Sequence, residues 1–251
     1  MSQSVMWKFL TAADLRAKAQ SGAIVVLPVA SMEQHGPHLP VGVDTILSEA
    51  VCQAAAEAIA ADTPVVVAPT LWCGMAEHHM AFGGTFTFDI PTYRAVLLCL
   101  LRSVERHGFK RVLIVNGHGG NISALAAFLP DFARETSLAL RVTTPYEPAQ
   151  QAMAPILEDQ DRVHHACEVE TSMMMVLAPD TVRREKLPEA HGPQHWTPQP
   201  AGVARYVSFR DATVSGVIGD ARRANAQKGE KLVAAVRDAI VAILRDARTW
   251  S

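Results

Sequence analysis

The sequence predicts an α/β fold in which a mostly parallel sheet is covered by helices. Short, continuously apolar runs recur along the first half of the chain, each bounded by Gly, Pro or polar residues. Continuous rather than alternating apolarity marks strands buried on both faces. Between these runs lie longer stretches with few helix breakers, so strands and helices alternate in the rhythm of a parallel sheet wound with crossover helices.

Residues 23–29 (A-I-V-V-L-P-V) read as the first buried strand. Residues 44–61 are Ala-rich, contain neither Gly nor Pro, and read as a helix. Residues 64–68 (P-V-V-V-A) are a second strand. A helix over 91–107 follows, with Pro91 at a first position that suits proline and Gly108 as its stop. Residues 111–115 (R-V-L-I-V) are a third strand, 116–121 (N-G-H-G-G-N) a glycine-rich turn leading into a helix to about 135, and 138–142 a fourth strand. Beyond it, 166–177 reads as a helix, 187–200 as a polar, Pro-rich surface loop, and 220–248 as an amphipathic helix.

No segment demands a domain boundary, so residues 1–251 are expected to form one domain, an ordinary length for one α/β unit. Hydrophobic residues make up 49% and charged residues 19%, the composition of a globular chain rather than a disordered one. With 23 basic and 25 acidic residues and no basic block, the chain carries no electrostatic footprint for nucleic acid. The first ten residues lack the pattern of a signal peptide, and no apolar run reaches the ~18 residues of a membrane span. Cys52, Cys73, Cys99 and Cys167 stand singly, as buried thiols of a reducing compartment would, and a cytoplasmic location is expected.

The chemistry is concentrated in S-M-E-Q-H-G-P-H-L-P-V-G-V-D, residues 31–44. Divalent first-row metals take carboxylate oxygen and neutral imidazole nitrogen. Glu33 and His35, two apart in an extended segment, point the same way and can address one metal pair. Pro37 and Pro40 stiffen the connection to Asp44, whose carboxylate at a helix start can bridge two cations. Taken one at a time, each of these residues fits a polar loop after a strand; their density favours a site.

The turn N-G-H-G-G-N lacks both G-x-G-x-x-G and G-K-[ST], so it is not a nucleotide cradle by motif. It exposes His118 at a strand end, where it suits a metal; Asn116 and Asn121 either fix the turn or touch substrate. In H-H-A-C-E-V-E-T-S, residues 164–172, one histidine fits an acid/base role and one carboxylate a place at the metals, while the rest suit a solvated helix start. In A-E-H-H-M-A-F-G-G-T, residues 76–85, His78 or His79 can contact substrate, and at least one of them is expected on the surface.

Together these elements resemble the creatininase (creatinine amidohydrolase) family, through E-Q-H-G-P-H-L-P with a downstream Asp, N-G-H-G-G-N, H-A-x-E-x-E-T-S, F-G-G-T and G-V-I-G-D-A-R-R-A-N-A-Q-K-G-E. The resemblance covers nearly the whole chain. It implies a three-layer α/β/α sandwich, a homo-oligomer with a hexamer among the candidate forms, and two divalent metal ions per chain, Zn, Mn or Fe. It places one metal on Glu33, Asp44 and His118, the other on His35 and the bridging Asp44, with a water between them as nucleophile and His165 as proton shuttle. Two departures carry weight: Gly120 replaces a ligand glutamate and Gly119 a substrate-stacking tyrosine of creatininase proper. The family's F-P-G-T is F-G-G-T here, and Ala76 stands where relatives often have Ser. Creatinine is therefore not the expected substrate, and Glu170 is the candidate ligand that completes the second site and joins the catalytic set.

The expected activity is hydrolysis of a C–N amide bond other than a peptide bond, in a cyclic amide, a formamide or a related small molecule, with neither nucleic acid nor membrane as partner. Its rivals are a metal-dependent isomerase or lyase acting on a sugar-like or cyclic substrate, a peptide-trimming enzyme, and a non-catalytic nucleotide-binding module. The chain has no G-x-S-x-G elbow and no papain-like cysteine context, which disfavours serine and thiol nucleophiles.

Overall fold

The computed structural model describes residues 4–158 and 160–251. Its strands are β1 (Ile24–Val29), β2 (Val65–Val67), β3 (Arg111–Asn116) and β4 (Ala139–Thr143). They form one four-stranded parallel sheet in the order β2-β1-β3-β4. The longer helices in chain order are α1 (Ala12–Gln20), α2 (Val43–Ile59), α3 (Ile90–Arg106), α4 (Ile122–Glu135), α5 (Tyr146–Met153) and α6 (Glu168–Leu177). The short α7 (Phe209–Ala212) and the long α8 (Ala226–Arg245) follow.

The period of two along each strand divides the core between the faces of the sheet. Ile24, Val26, Val65, Val67, Leu113 and Val115 pack under α2, α5, α6 and α8. Val25, Leu27, Val29, Val66, Val112 and Ile114 pack under α3 and α4, with Leu15 and Ala19 of α1 at the margin. This is the three-layer α/β/α sandwich that the family resemblance implied. Pro28 sits in an inner strand, in register with Val115 of β3. The even-numbered residues of β1 turn their backbone groups toward β2, which ends at Val67, opposite Val26; the Pro28 carbonyl accepts from Leu71 N at 3.0 Å, and the missing N–H of Pro28 lies past the end of the β1–β2 register.

Several element readings change. Helix α1 carries a complete Thr11–Asp14 capping box, yet its apolar periodicity is too weak to stand out in the sequence. The last long helix begins at Ala226 rather than 220, because the Asn225 side chain accepts from Lys228 N and caps it, while Asp220 pairs in a β-bridge with His191. Helix α6 begins at Glu168 rather than 166, since Ala166 adopts φ 52°, outside helical space, and His165 is bridged in extended conformation to Ile218. Part of the expected 187–200 loop is a 3-10 turn, Arg184–Glu189. Cys52, Cys73 and Cys167 are buried, but Cys99 is exposed on α3; all are free thiols. Among the described residues no helix is long and apolar enough to cross a membrane.

Candidate metal centre

The chain leaves β1 into residues 31–42 and leaves β3 into the N-G-H-G-G-N turn, so both polar segments emerge at the carboxyl ends of adjacent strands. Glu33 N donates to Val41 O at 2.9 Å, closing the first segment into a loop that delivers Asp44 to the first turn of α2. In the second, Asn116 holds His118 from both sides: its Nδ2 donates to His118 O and its Oδ1 accepts from His118 N. Asn121 donates to Ala30 O and Asn116 Oδ1 and accepts from Met75 N. Both asparagines therefore brace the turn.

The loops bring Glu33, His35, Asp44 and His118 together with Glu170 of α6, all but sealed from solvent at 1–6% exposure. His118 Nδ1 lies 3.0 Å from Glu33 Oε2 and 3.2 Å from Asp44 Oδ2. His35 Nε2 lies 3.2 Å from Asp44 Oδ1 and 3.9 Å from Glu170 Oε1. Asp44 thus divides its oxygens between two neighbouring groups of donors. Each imidazole is oriented by a carbonyl, which can only accept: His118 Nε2–H donates to Met75 O and His35 Nδ1–H to Glu33 O, both at 3.1 Å. In the neutral ring this leaves the opposite nitrogen's lone pair toward the carboxylates, as in a metal ligand fixed by its second hydrogen bond.

Buried polar atoms are nearly always hydrogen-bonded. Here Glu33 Oε2, His35 Nε2 and Asp44 Oδ2 are buried without hydrogen-bond partners. Three carboxylates in one sealed pocket require compensating positive charge. The titration tendencies carry the same message. Burial works against the charged form of His118, yet Glu33 and Asp44 outweigh it and hold the imidazole well above its ordinary range. His35 is raised to about 9, Asp44 and Glu170 outweighing burial. Burial, with Asp44 alongside and His35 opposing, pushes Glu170 up to about 7. Oxygen and imidazole donors of this kind fit divalent first-row cations.

Glu168, the neighbouring carboxylate, faces away: fully buried, it ion-pairs with Lys228 of α8 and accepts from Glu158 N. Glu170 faces inward, with Oε2 accepting from Ala166 N. Gly120 has no room for any side chain, because a Cβ there would sit 2.4 Å from both His118 Nε2 and Met75 O. Gly119, by contrast, would meet nothing within 4 Å, and its face opens onto a cavity of about 890 Å³.

His165 lies at the cavity wall, its Nδ1 3.6 Å from Glu33 Oε1 and its Nε2–H donating to Gln34 O at 2.7 Å. His165 precedes α6, so it and Glu170 of α6 reach the pocket from different elements. His79, on the 3-10 turn Glu77–Phe82, is buried at 1% exposure, with Nε2 3.1 Å from Glu33 Oε1. His78 is half-buried, lines the cavity and stacks on His118. The sequence pointed to this pair without separating them. It missed Phe209 and Trp196, which roof the histidines: Phe209 stacks on His79 at 3.9 Å and Trp196 lies 4.7 Å from Phe209. For Trp196 the one available signal was an aromatic residue inside the polar, Pro-rich stretch 187–200; Phe209 lies beyond that stretch.

A family model described as creatininase, creatinine amidohydrolase, matches residues 8–244. The chain is 34% identical over 216 residues to the mycofactocin precursor peptide peptidase of Mycolicibacterium smegmatis, covering 84% of this chain and 80% of that protein. It is 29% identical over 267 residues to the creatinine amidohydrolase of Pseudomonas putida, covering 98% of each. Among solved structures, a mutant creatininase of Zn-Zn type superposes with a TM-score of 0.79 at 26% identity, covering 97% of this chain and 98% of that one. A manganese creatininase superposes at 0.77, with 26% identity and the same coverage.

Proposed function

Because this chain belongs to the creatininase family, we propose that it is a dinuclear-metal hydrolase of C–N amide bonds. The observation that carries the reading is the set of buried, unpartnered donor atoms, Glu33 Oε2, His35 Nε2 and Asp44 Oδ2, arranged about a carboxylate that faces two ways. Glu33, Asp44 and His118 would hold one divalent ion, and His35, Asp44 and Glu170 the other, zinc and manganese being favoured by the metal forms of the superposed creatininases. Bound there, such ions would polarise the amide carbonyl and lower the pKa of the attacking water. The homo-oligomer and the single domain over residues 1–251 belong to the same reading; α8, which packs on α2, α5 and α6, ties the C-terminal part to the sheet.

The remaining work falls to the protein's own groups. Burial, together with nearby His35 and His79, holds the His165 imidazole well below its ordinary range, so it is a neutral base at physiological pH. Gln34 O fixes its proton on Nε2 and leaves Nδ1 toward the pocket. His165 is thereby placed to take the proton that water gives up and to return it to the departing nitrogen. Phe209 and Trp196 keep this exchange dry on the cavity side. A second reading, a peptide bond as the scissile amide, is favoured by the cavity of about 890 Å³ that opens beside Gly119 and by the peptidase relative.

Elemental analysis tests the proposal: metal-replete protein is expected to carry about two divalent ions per chain and to lose activity toward a panel of cyclic amides, formamides and short peptides when chelated. Active protein without bound metal would sink it. The assignment of the second site has its own check in a pair of variants. Glu170→Gln is expected to weaken the second ion and leave the first in place. Glu168→Gln, which loosens only the ion pair with Lys228, is expected to leave both. Unchanged affinity in Glu170→Gln would remove Glu170 from the ligand set.

A further inference from the structure

Glu33 divides its two carboxylate oxygens between the centre and a side chain outside the ligand set. Its Oε2 faces His118, while Oε1 lies 3.1 Å from His79 Nε2. On the far side of the same ring, His79 Nδ1 lies 3.0 Å from Gln34 Nε2. The Gln34 amide is itself fixed, because Oε1 accepts from Gly36 N at 2.9 Å and Nε2 also donates to Gly216 O at 3.0 Å. Gln34 Nε2 also lies 3.0 Å from His165 Nε2, but that nitrogen carries the proton engaged by Gln34 O, so the two amide hydrogens go to Gly216 O and His79 Nδ1; His79 Nδ1 accepts, and the ring proton resides on Nε2, facing Glu33. The arrangement is tightly enclosed. Gly216 has φ 81° and a Cβ there would come within 2.1 Å of Gln34 Oε1, while Phe209 stacks on the outer face of His79 at 3.9 Å.

We infer that His79 is a positioning residue that presents Glu33 to the first ion through Oε2 alone, by donating Nε2–H to Oε1, and that Gln34 sets the tautomer that makes this possible. The inference rests on the dinuclear reading above. It also decides between two roles for the cluster of Glu33, His79 and His165, whose donor atoms lie within 4.8 Å of one another. As a metal ligand, His79 would need a lone pair on Nε2; with Gln34 donating to Nδ1, it has a proton there instead. The effect should resemble that of other groups that orient a metal ligand from behind, about 10–100-fold in affinity.

The experiment compares His79→Leu, which removes the donor, with His79→Gln, whose amide nitrogen can reach the place of Nε2. Zinc affinity of each site is measured by competition with a chromogenic chelator, alongside circular dichroism melting. His79→Leu is expected to weaken the first ion about 10–100-fold and to leave the second unchanged, with His79→Gln recovering most of the loss. In the unaltered protein, long-range proton–nitrogen NMR should find His79 protonated at Nε2 and bare at Nδ1. Should His79→Leu fail to fold, Gln34→Leu, which frees the tautomer, is expected to weaken the same ion. A folded His79→Leu with unaltered affinity overturns the inference, as does equal loss in His79→Leu and His79→Gln, or a third ion that disappears with the ring. If the unaltered protein binds no zinc, the dinuclear reading itself falls; if it binds two ions and His79→Leu binds them equally well, only the role of His79 does.

Discussion

Asp44→Ala is expected to abolish hydrolysis and to empty both metal sites. Its Oδ2 lies 3.2 Å from His118 Nδ1 and its Oδ1 3.2 Å from His35 Nε2, so each group of donors loses an anionic oxygen at once. The loss should exceed the ~10²–10⁴-fold of removing one acid/base group, since nucleophile activation and carbonyl polarisation both depend on the ions. The fold should persist. Leu47, Val51, Cys52 and Ile59 bury the inner face of α2 in the core, and the carboxylate contributes to the helix start only the ~0.3–1 kcal/mol of a charge at its N-terminus. Removing one of three crowded carboxylates also relieves repulsion that now helps raise Glu170. Elemental analysis, turnover and a melting curve on the same preparation check this. Near-normal turnover would reduce Asp44 to a helix-start residue, and loss of a single ion would show that it serves only one site.

His165→Ala is expected to lower turnover by roughly 10²–10⁴-fold while both ions stay bound. The distinction matters because His165 also lies close to His35 and Glu170, within a set of donors that could hold an ion. Its Nε2–H is engaged by Gln34 O, and its Nδ1 faces Glu33 Oε1 at 3.6 Å across the open side of the pocket, a position suited to a migrating proton. Because burial and the neighbouring histidines lower its pKa, the neutral base persists as pH falls, and the acid limb of kcat should lie below the ordinary histidine range. Loss of one ion in His165→Ala would make it a ligand, and full activity would remove it from the mechanism. Metal content and the pH profile of kcat, measured together, separate these outcomes.

Much of the site could be read from local sequence because local chemistry placed it. Continuous apolar runs set β1 and β3 as buried parallel strands, and the polar segments that follow them necessarily emerge at the same end of the sheet. That alone brings residues 31–44 beside His118, and turn chemistry explains why Asn116 and Asn121 brace what they flank.

What the sequence left open depends on orientation and on distant packing. Glu168 and Glu170 both stand in the first turn of α6; which one faces the pocket is decided by the rotation of that helix against α8, where Lys228 captures Glu168. Likewise, nothing in the pair His78–His79 says which ring is buried. That follows from Gln34 on one side and Phe209, 130 positions further along the chain, on the other. Even the exclusion of a ligand at position 120 is a tertiary fact, since it is Met75 O and the His118 ring that fill the space a Cβ would need. Strand and turn propensities act over a few residues, so a sequence displays them. The direction of a buried side chain is set by whatever packs against it, and in this protein those partners come from every layer of the fold.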